Sequence, residues 1–290
     1  MSKIIGISGS FRTRSLNAAL LRVAAGLARA IAYLVLVALA VALPLRATAQ
    51  GDPIGIVIMH GKGGAPTGYV ANLARTLEGN GYLVANLEMP WSRSRNYDVT
   101  VERGVQEVET AVAGLRAKGA KKVFVSGHSQ GGAFALHIAG KQGINGVIAM
   151  APGGDVGNRV FREQLGQSVA RARRLVAEGK GNEPARLEDY EGDKGTYAVT
   201  TAPAVYLTWF EPEGAMNMQR AARAANPKVP ILWVVGRGER PGLRKVNIPL
   251  FNSLPDNPLT RLYEPDADHT GTPTASADEI VRWTREVASR

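Results

Sequence analysis

The chain has 290 residues, 45% of them hydrophobic, enough to bury a large core arranged as one or two domains. Its net charge of +10 is unevenly spread: of 35 basic residues, six fall in residues 1–49 with no acidic neighbour, and the other 29 face all 25 acidic ones. A body so nearly balanced carries no electrostatic footprint for nucleic acid, and the absence of cysteine excludes disulfides, thiolate metal sites and a cysteine nucleophile.

At the N-terminus, Lys3 to Ile7 has strand character and runs into a small, hydroxyl-rich turn, followed by a helix-like stretch from Ser15. Gly9-Ser10-x-Arg12-x-x-Ser15-x-Asn17 resembles the phosphate-binding loop of NADPH-dependent FMN reductases, in which amides and hydroxyls at a helix N-terminus receive a phosphate. The resemblance ends near Ala25. About 25 residues are too few to fold as a flavodoxin-like domain, so the stretch reads as a vestige, a gene-fusion scar or a mis-called start. Behind Arg29 lie fourteen uncharged residues, Ala30 to Leu43, then Pro44, Arg46 and Ala47-Thr48-Ala49. A basic flank, a short apolar core and a small-x-small site predict a signal peptide cleaved after Ala49, and hence a periplasmic or secreted protein. The apolar run is shorter than the about 20 residues of a membrane span. An uncleaved anchor is the alternative, and contact with a membrane is expected through this leader alone.

The body is expected from residue 50 onward. Ile54 to Met59 is an apolar strand ending in His60-Gly61-Lys62-Gly63-Gly64, where glycines let the backbone turn and bare its amides. A helix over Tyr69 to Glu78 and a strand over Tyr82 to Leu87 follow. Val101, Val105, Val108, Val112 and Leu115 recur at helical spacing. Lys122 to Val125 is again a strand. It meets Gly127-His128-Ser129-Gln130-Gly131 and then a helix-like run to Ala139. A serine on so tight a strand-to-helix turn is pushed into strained backbone geometry, and its flanking glycines allow strand and helix to approach closely.

These residues resemble the nucleophile elbow of the alpha/beta-hydrolase superfamily, and the element order resembles that fold over about residues 53–290. The resemblance implies an α/β architecture: a mostly parallel central sheet, flanking helices and a helical cap. It implies Ser129 as nucleophile and the amides of Gln130 and Lys62 as oxyanion hole, with Gly127, His128 and Gly131 shaping the elbow. His60 is then structural.

Gly146 to Ala151 is the next strand. Residues 156–226 break the pattern, with an amphipathic helix (Phe161, Leu165, Val169, Ala172, Val176), a polar stretch from Gly181 to Gly195, Tyr206 to Phe210, and a helix over Met216 to Ala225. This insertion is read as the cap, with a separate domain as the alternative. Strands resume at Val229 to Gly236 and Thr260 to Glu264, and Ala277 to Val287 closes the chain as a helix.

His269, after the last strand, stands where the superfamily places its base, and the order Ser…acid…His is met. Two acids remain open: Glu239, three residues past Gly236, where relatives usually carry Asp, and Asp155, after the strand following the elbow helix. Asp266 and Asp268 shape the loop. The expected activity is hydrolysis of a carboxylic ester or related acyl bond of a small molecule, without metal or organic cofactor. A non-catalytic binding protein on the same fold and an FMN-dependent reductase are the rivals.

Overall fold

The computed structural model describes residues 20–29, 31–32 and 52–290, in two compact units divided at Gly51. In the first unit, residues 20–29 and 31–32 are helical. The phosphate-loop-like stretch at 9–17 and most of the signal-peptide reading (Ala30, Tyr33 to Gln50) lie outside the described residues. Among the described residues, no helix is long and apolar enough to cross a membrane.

The second unit is built on six parallel strands: β1 (Ile54–Met59), β2 (Leu83–Leu87), β3 (Lys122–His128), β4 (Gly146–Met150), β7 (Ile231–Val234) and β8 (Arg261–Tyr263). Their order is β2-β1-β3-β4-β7-β8. Such a sheet buries both faces, so its strands read as continuous apolar runs and alternate residues feed two separate cores. Ile56, Ile58, Phe124, Ile148 and Leu232 join one cluster, capped by Ile280 and Trp283 of the last helix. Val57, Val125, Val147, Ala149 and Trp233 join the other.

Helices α1 (Ala71–Gly79), α2 (Val101–Ala117), α3 (Gln130–Ile138), α8 (Thr272–Ala275) and α9 (Ala277–Ala288) flank the sheet, with two further helices, α6 (Met218–Arg223) and α7 (Pro241–Phe251). The valine stripe of α2 is buried as its spacing predicts, and Thr100 caps the helix by accepting from the Arg103 amide. The α7 segment goes unread in sequence. Pro241 opens it at a position where proline is tolerated, but Pro249 and the pair Arg244-Lys245 disguise its apolar face.

Between β4 and β7 the expected helical cap proves to be mixed. Helices α4 (Arg159–Ala177) and α5 (Pro203–Phe210) enclose an antiparallel hairpin, β5 (Ala185–Glu191) with β6 (Gly195–Thr201). The polar stretch expected over 181–195 is therefore largely strand. The insertion packs against the body: Trp209 meets Trp91 and Phe134 at ring distances of 5.7 and 5.5 Å and donates to the Val99 carbonyl.

Candidate active site

At the end of β3 the chain reverses direction within one residue. Ser129 adopts φ 55° and ψ −117°, a left-handed conformation that costs a non-glycine residue about 1–3 kcal/mol. The neighbouring glycines make it possible. A Cβ on Gly127 would lie 2.0 Å from the Gly131 carbonyl oxygen, and one on Gly131 would lie 2.7 Å from the carbonyl oxygens of Met59 and His60. The Ser129 amide donates to Met150 at 2.9 Å, tying the turn to β4. Gln130, the next residue, opens α3, so its amide is among the helix N-terminal donors that find no acceptor within the helix.

Two loops at the same end of the sheet bring up the remaining groups. His269 Nε2 lies 3.1 Å from Ser129 Oγ, and its Nδ1 lies 2.7 Å from Glu239 Oε2. Glu239, buried in full at its side chain, also accepts from the Arg240 amide at 2.8 Å through Oε1. A carboxylate only accepts, so Nδ1 carries the imidazole proton and Nε2 is left to accept the serine hydroxyl. The acid and histidine loops are laced by Arg237 to Pro265 and Gly238 to Ala267 backbone bonds. A Cβ on Gly236 would meet the Ala267 oxygen at 2.1 Å, so this approach too requires glycine.

Asp155 is elsewhere engaged. Its Oδ1 accepts from the Gly157 and Met218 amides, each at 3.0 Å, and desolvation raises its carboxyl above the ordinary range despite those bonds. It lines the cavity but braces the insertion, whereas Glu239 contacts the imidazole. Asp268 accepts from the Gly271 amide at 2.7 Å, which lowers its pKa and folds the histidine loop. His60 receives the Met89 amide at Nε2 and gives Nδ1–H to the Gly61 carbonyl, with burial lowering its pKa; it holds the loop that carries Lys62. His128 is buried beside His269, 4.8 Å between ring centres, and donates from Nε2 to the His269 carbonyl at 2.8 Å. Desolvation lowers its pKa to about 3, so it is neutral.

Over Ser129 opens a cavity of about 400 Å³ whose lining includes Val160, Phe161, Leu243 and Val246 as well as Lys62, Gln130 and His269. A Cβ on Gly61 would stand 3.1 Å from the Ser129 Cβ, so the loop after β1 abuts the serine directly. The Lys62 side chain turns away into the insertion, pairing with Asp189 at 2.5 Å. Asp189 and Tyr97 are the site-adjacent residues that sequence reasoning misses. Asp189 is fully buried on a strand hidden in a polar stretch, and Tyr97 lies in an irregular loop with φ 57°.

A family profile described as Alpha/beta hydrolase family matches residues 56–283, and the chain belongs to that family. It is a hydrolase by fold and family. Among curated proteins no sequence matches it. Similar solved structures include a monoacylglycerol lipase from Paleococcus ferrophilus (21% identity, 82% of this chain and 96% of that one, TM-score 0.55). Est1E from Butyrivibrio proteoclasticus, solved with ferulic acid bound, is 15% identical over 82% of this chain and 90% of its own, with TM-score 0.54. The alpha/beta hydrolase GrgF from Penicillium sp. sh18 is 14% identical over 83% and 91%, with TM-score 0.60. At these identities the likeness is one of fold.

Proposed function

We propose that the protein is a serine hydrolase that cleaves a carboxylic ester, or a related acyl bond, through an acyl-enzyme. One observation carries it: the unbroken chain of contacts from Ser129 Oγ through His269 to the buried Glu239, at 3.1 and 2.7 Å. His269 Nε2 takes the serine proton as Oγ attacks the acyl carbon, and Glu239 stabilises the imidazolium that forms. The tetrahedral oxyanion is received by the amides of Gln130 and Lys62. Collapse expels the alcohol, which leaves with the proton from His269. A water then gives its proton to the same nitrogen and attacks the acyl-serine, releasing the acid and restoring the site.

The cavity volume and its apolar wall favour a small acyl group, since about 300–1,000 Å³ is the range of sites that enclose a small ligand. Esters are also the chemistry suggested by a fold relative that is a monoacylglycerol lipase. A fluorophosphonate should label wild-type protein at Ser129, and Ser129→Ala should abolish both label and adduct mass. Turnover of p-nitrophenyl esters should fall by about 1,000-fold or more with the fold intact. An unlabelled wild-type protein, or an alanine variant of comparable activity, would place the chemistry elsewhere.

We also propose that residues 1–49 are an export leader, on the basic flank, apolar run and Ala47-Thr48-Ala49 site. Protein recovered from a bacterial periplasm should begin at Gln50 by N-terminal sequencing. Intact Met1 on cytoplasmic protein would overturn this.

A further inference from the structure

A fully buried carboxylate on the insertion has no part in the proton relay, yet it reaches both residues proposed to supply the oxyanion amides. Asp189 lies on β5, opposite Tyr197 of β6, and is 0% exposed. Its Oδ1 accepts from Lys62 Nζ at 2.5 Å and from the Tyr190 amide at 2.6 Å; its Oδ2 accepts from the hydroxyls of Tyr97 at 2.7 Å and Tyr197 at 2.9 Å. Four donors, one of them cationic, satisfy the charge that burial would otherwise make prohibitive.

Two arms lead back to the catalytic centre. In the first, Lys62 Nζ also donates to the Tyr190 carbonyl at 3.0 Å and stands 5.4 Å over the Phe161 ring. The side chain of a loop residue is thereby anchored to the insertion on three sides. In the second arm, the Tyr97 hydroxyl receives Gln130 Nε2–H at 3.1 Å. Burial and the neighbouring Asp189 push the Tyr97 phenol well above its ordinary value, so it keeps its proton, and that proton goes to the acceptor-only carboxylate at 2.7 Å rather than to Gln130 Oε1 at 3.3 Å. That fixes the direction of the whole arm: the Gln130 amide group donates to Tyr97, and Tyr97 donates to Asp189.

Lys62 follows β1 and Gln130 follows β3. They belong to separate loops; the Lys62 side chain bonds one carboxylate of the insertion directly, and the Gln130 side chain is linked to the same carboxylate through the Tyr97 hydroxyl. We propose that Asp189 is a positioning residue that sets the separation and aim of the Lys62 and Gln130 backbone amides, so that seating of the β5–β6 hairpin and completion of the oxyanion hole are one event. The proposal rests on the serine mechanism above. A shift of a few tenths of an ångström in such donors matters because they act on charge that exists only in the transition state.

The test uses Asp189→Asn, which removes the charge at constant shape, and Tyr97→Phe, which removes one hydroxyl from a packed ring. Active molecules are counted by fluorophosphonate labelling. Two properties are measured per labelled molecule: kcat and KM for a p-nitrophenyl ester, and affinity for a trifluoromethyl ketone that forms an oxyanionic hemiketal at Ser129. Asp189→Asn should lose about 100-fold, and Tyr97→Phe about 10-fold, in both kcat and ketone affinity, with KM within about threefold of wild type.

A joint that merely pins the insertion lowers the melting midpoint while leaving kcat per labelled molecule and ketone affinity at wild type; that result overturns the proposal. If Asp189→Asn fails to fold, Tyr97→Phe alone decides by the same criteria. Wild-type protein that takes no label at Ser129 overturns the serine mechanism and this role with it. A labelled wild type whose variants match it in kcat and ketone affinity overturns the positioning role alone.

Discussion

The two oxygens of Glu239 divide their work, one facing His269 and one facing the Arg240 amide, and neither touches solvent. An amide in that place would present an N–H or a neutral oxygen to Nδ1, and either loses the charge that stabilises imidazolium. Glu239→Gln should therefore reduce kcat by about 1,000-fold with little change in melting temperature. Asp155→Asn should stay within about threefold of wild type, because a single side-chain oxygen, Oδ1, accepts both of its amides and asparagine keeps that acceptor. Steady-state kinetics on the pair separates the two acids: a dead Asp155→Asn beside an active Glu239→Gln would reverse their roles. The serine and histidine are legible in the bare sequence because their signals are local, a Gly-x-Ser-x-Gly turn and a histidine in the loop before the final helix. Glu239 is narrowed only to one of two acids, since a carboxylate after a strand end has no spacing of its own. What separates it from Asp155 is which loop folds against the histidine loop, and a chain read in one dimension does not contain that.

Elements differ in legibility for a reason that the sheet makes plain. Strands buried on both faces leave apolar runs, so β1, β3, β4 and β7 stand out by composition alone. The hairpin of the insertion buries one face only, and the alternation that should mark it is broken where it matters. In Ala185–Glu191 the inward residues are Leu187 and Asp189, so a charged residue occupies a core position and the strand reads as a polar loop. Across the hairpin the inward set is Tyr197, Val199 and Thr201, again half polar at its hydrogen-bonding atoms. The feature that hides the hairpin is the same one that ties it to Lys62 and Tyr97. Helix α5 shows a related effect: Pro203 supplies its first turn, and Tyr206, Trp209 and Phe210 are buried against body and insertion alike. Such a helix is apolar on several sides and shows little of the one-faced periodicity by which helices are recognised.

For the molecule as a whole, the buried and half-buried histidines contribute to the response to acid. His60, His128 and His137 all have pKa values lowered from the ordinary value of 6.5, with desolvation the largest cause in each. A histidine whose folded pKa is depressed binds fewer protons in the folded state than in the unfolded one. Its stabilising contribution is complete above about pH 6.5 and is lost as pH falls toward the folded value. Asp155 opposes this, since burial raises its carboxyl and the folded state takes up that proton first. For His128, with a folded value of about 3, the loss between pH 7.5 and pH 5 is about 2 kcal/mol, at about 1.4 kcal/mol per unit. That is a large part of the about 5–15 kcal/mol by which a domain is stable. It falls on the residue that holds the His269 carbonyl, so catalytic geometry and global stability should fail together. Urea unfolding at pH 7.5 and pH 5 should show the wild type weakened by at least this amount. His128→Asn, less stable at pH 7.5, should lose about 2 kcal/mol less across the same interval. An asparagine variant with an unchanged pH slope would mean that His128 already titrates normally in the folded protein, and the neutral imidazole beside His269 would have to be abandoned.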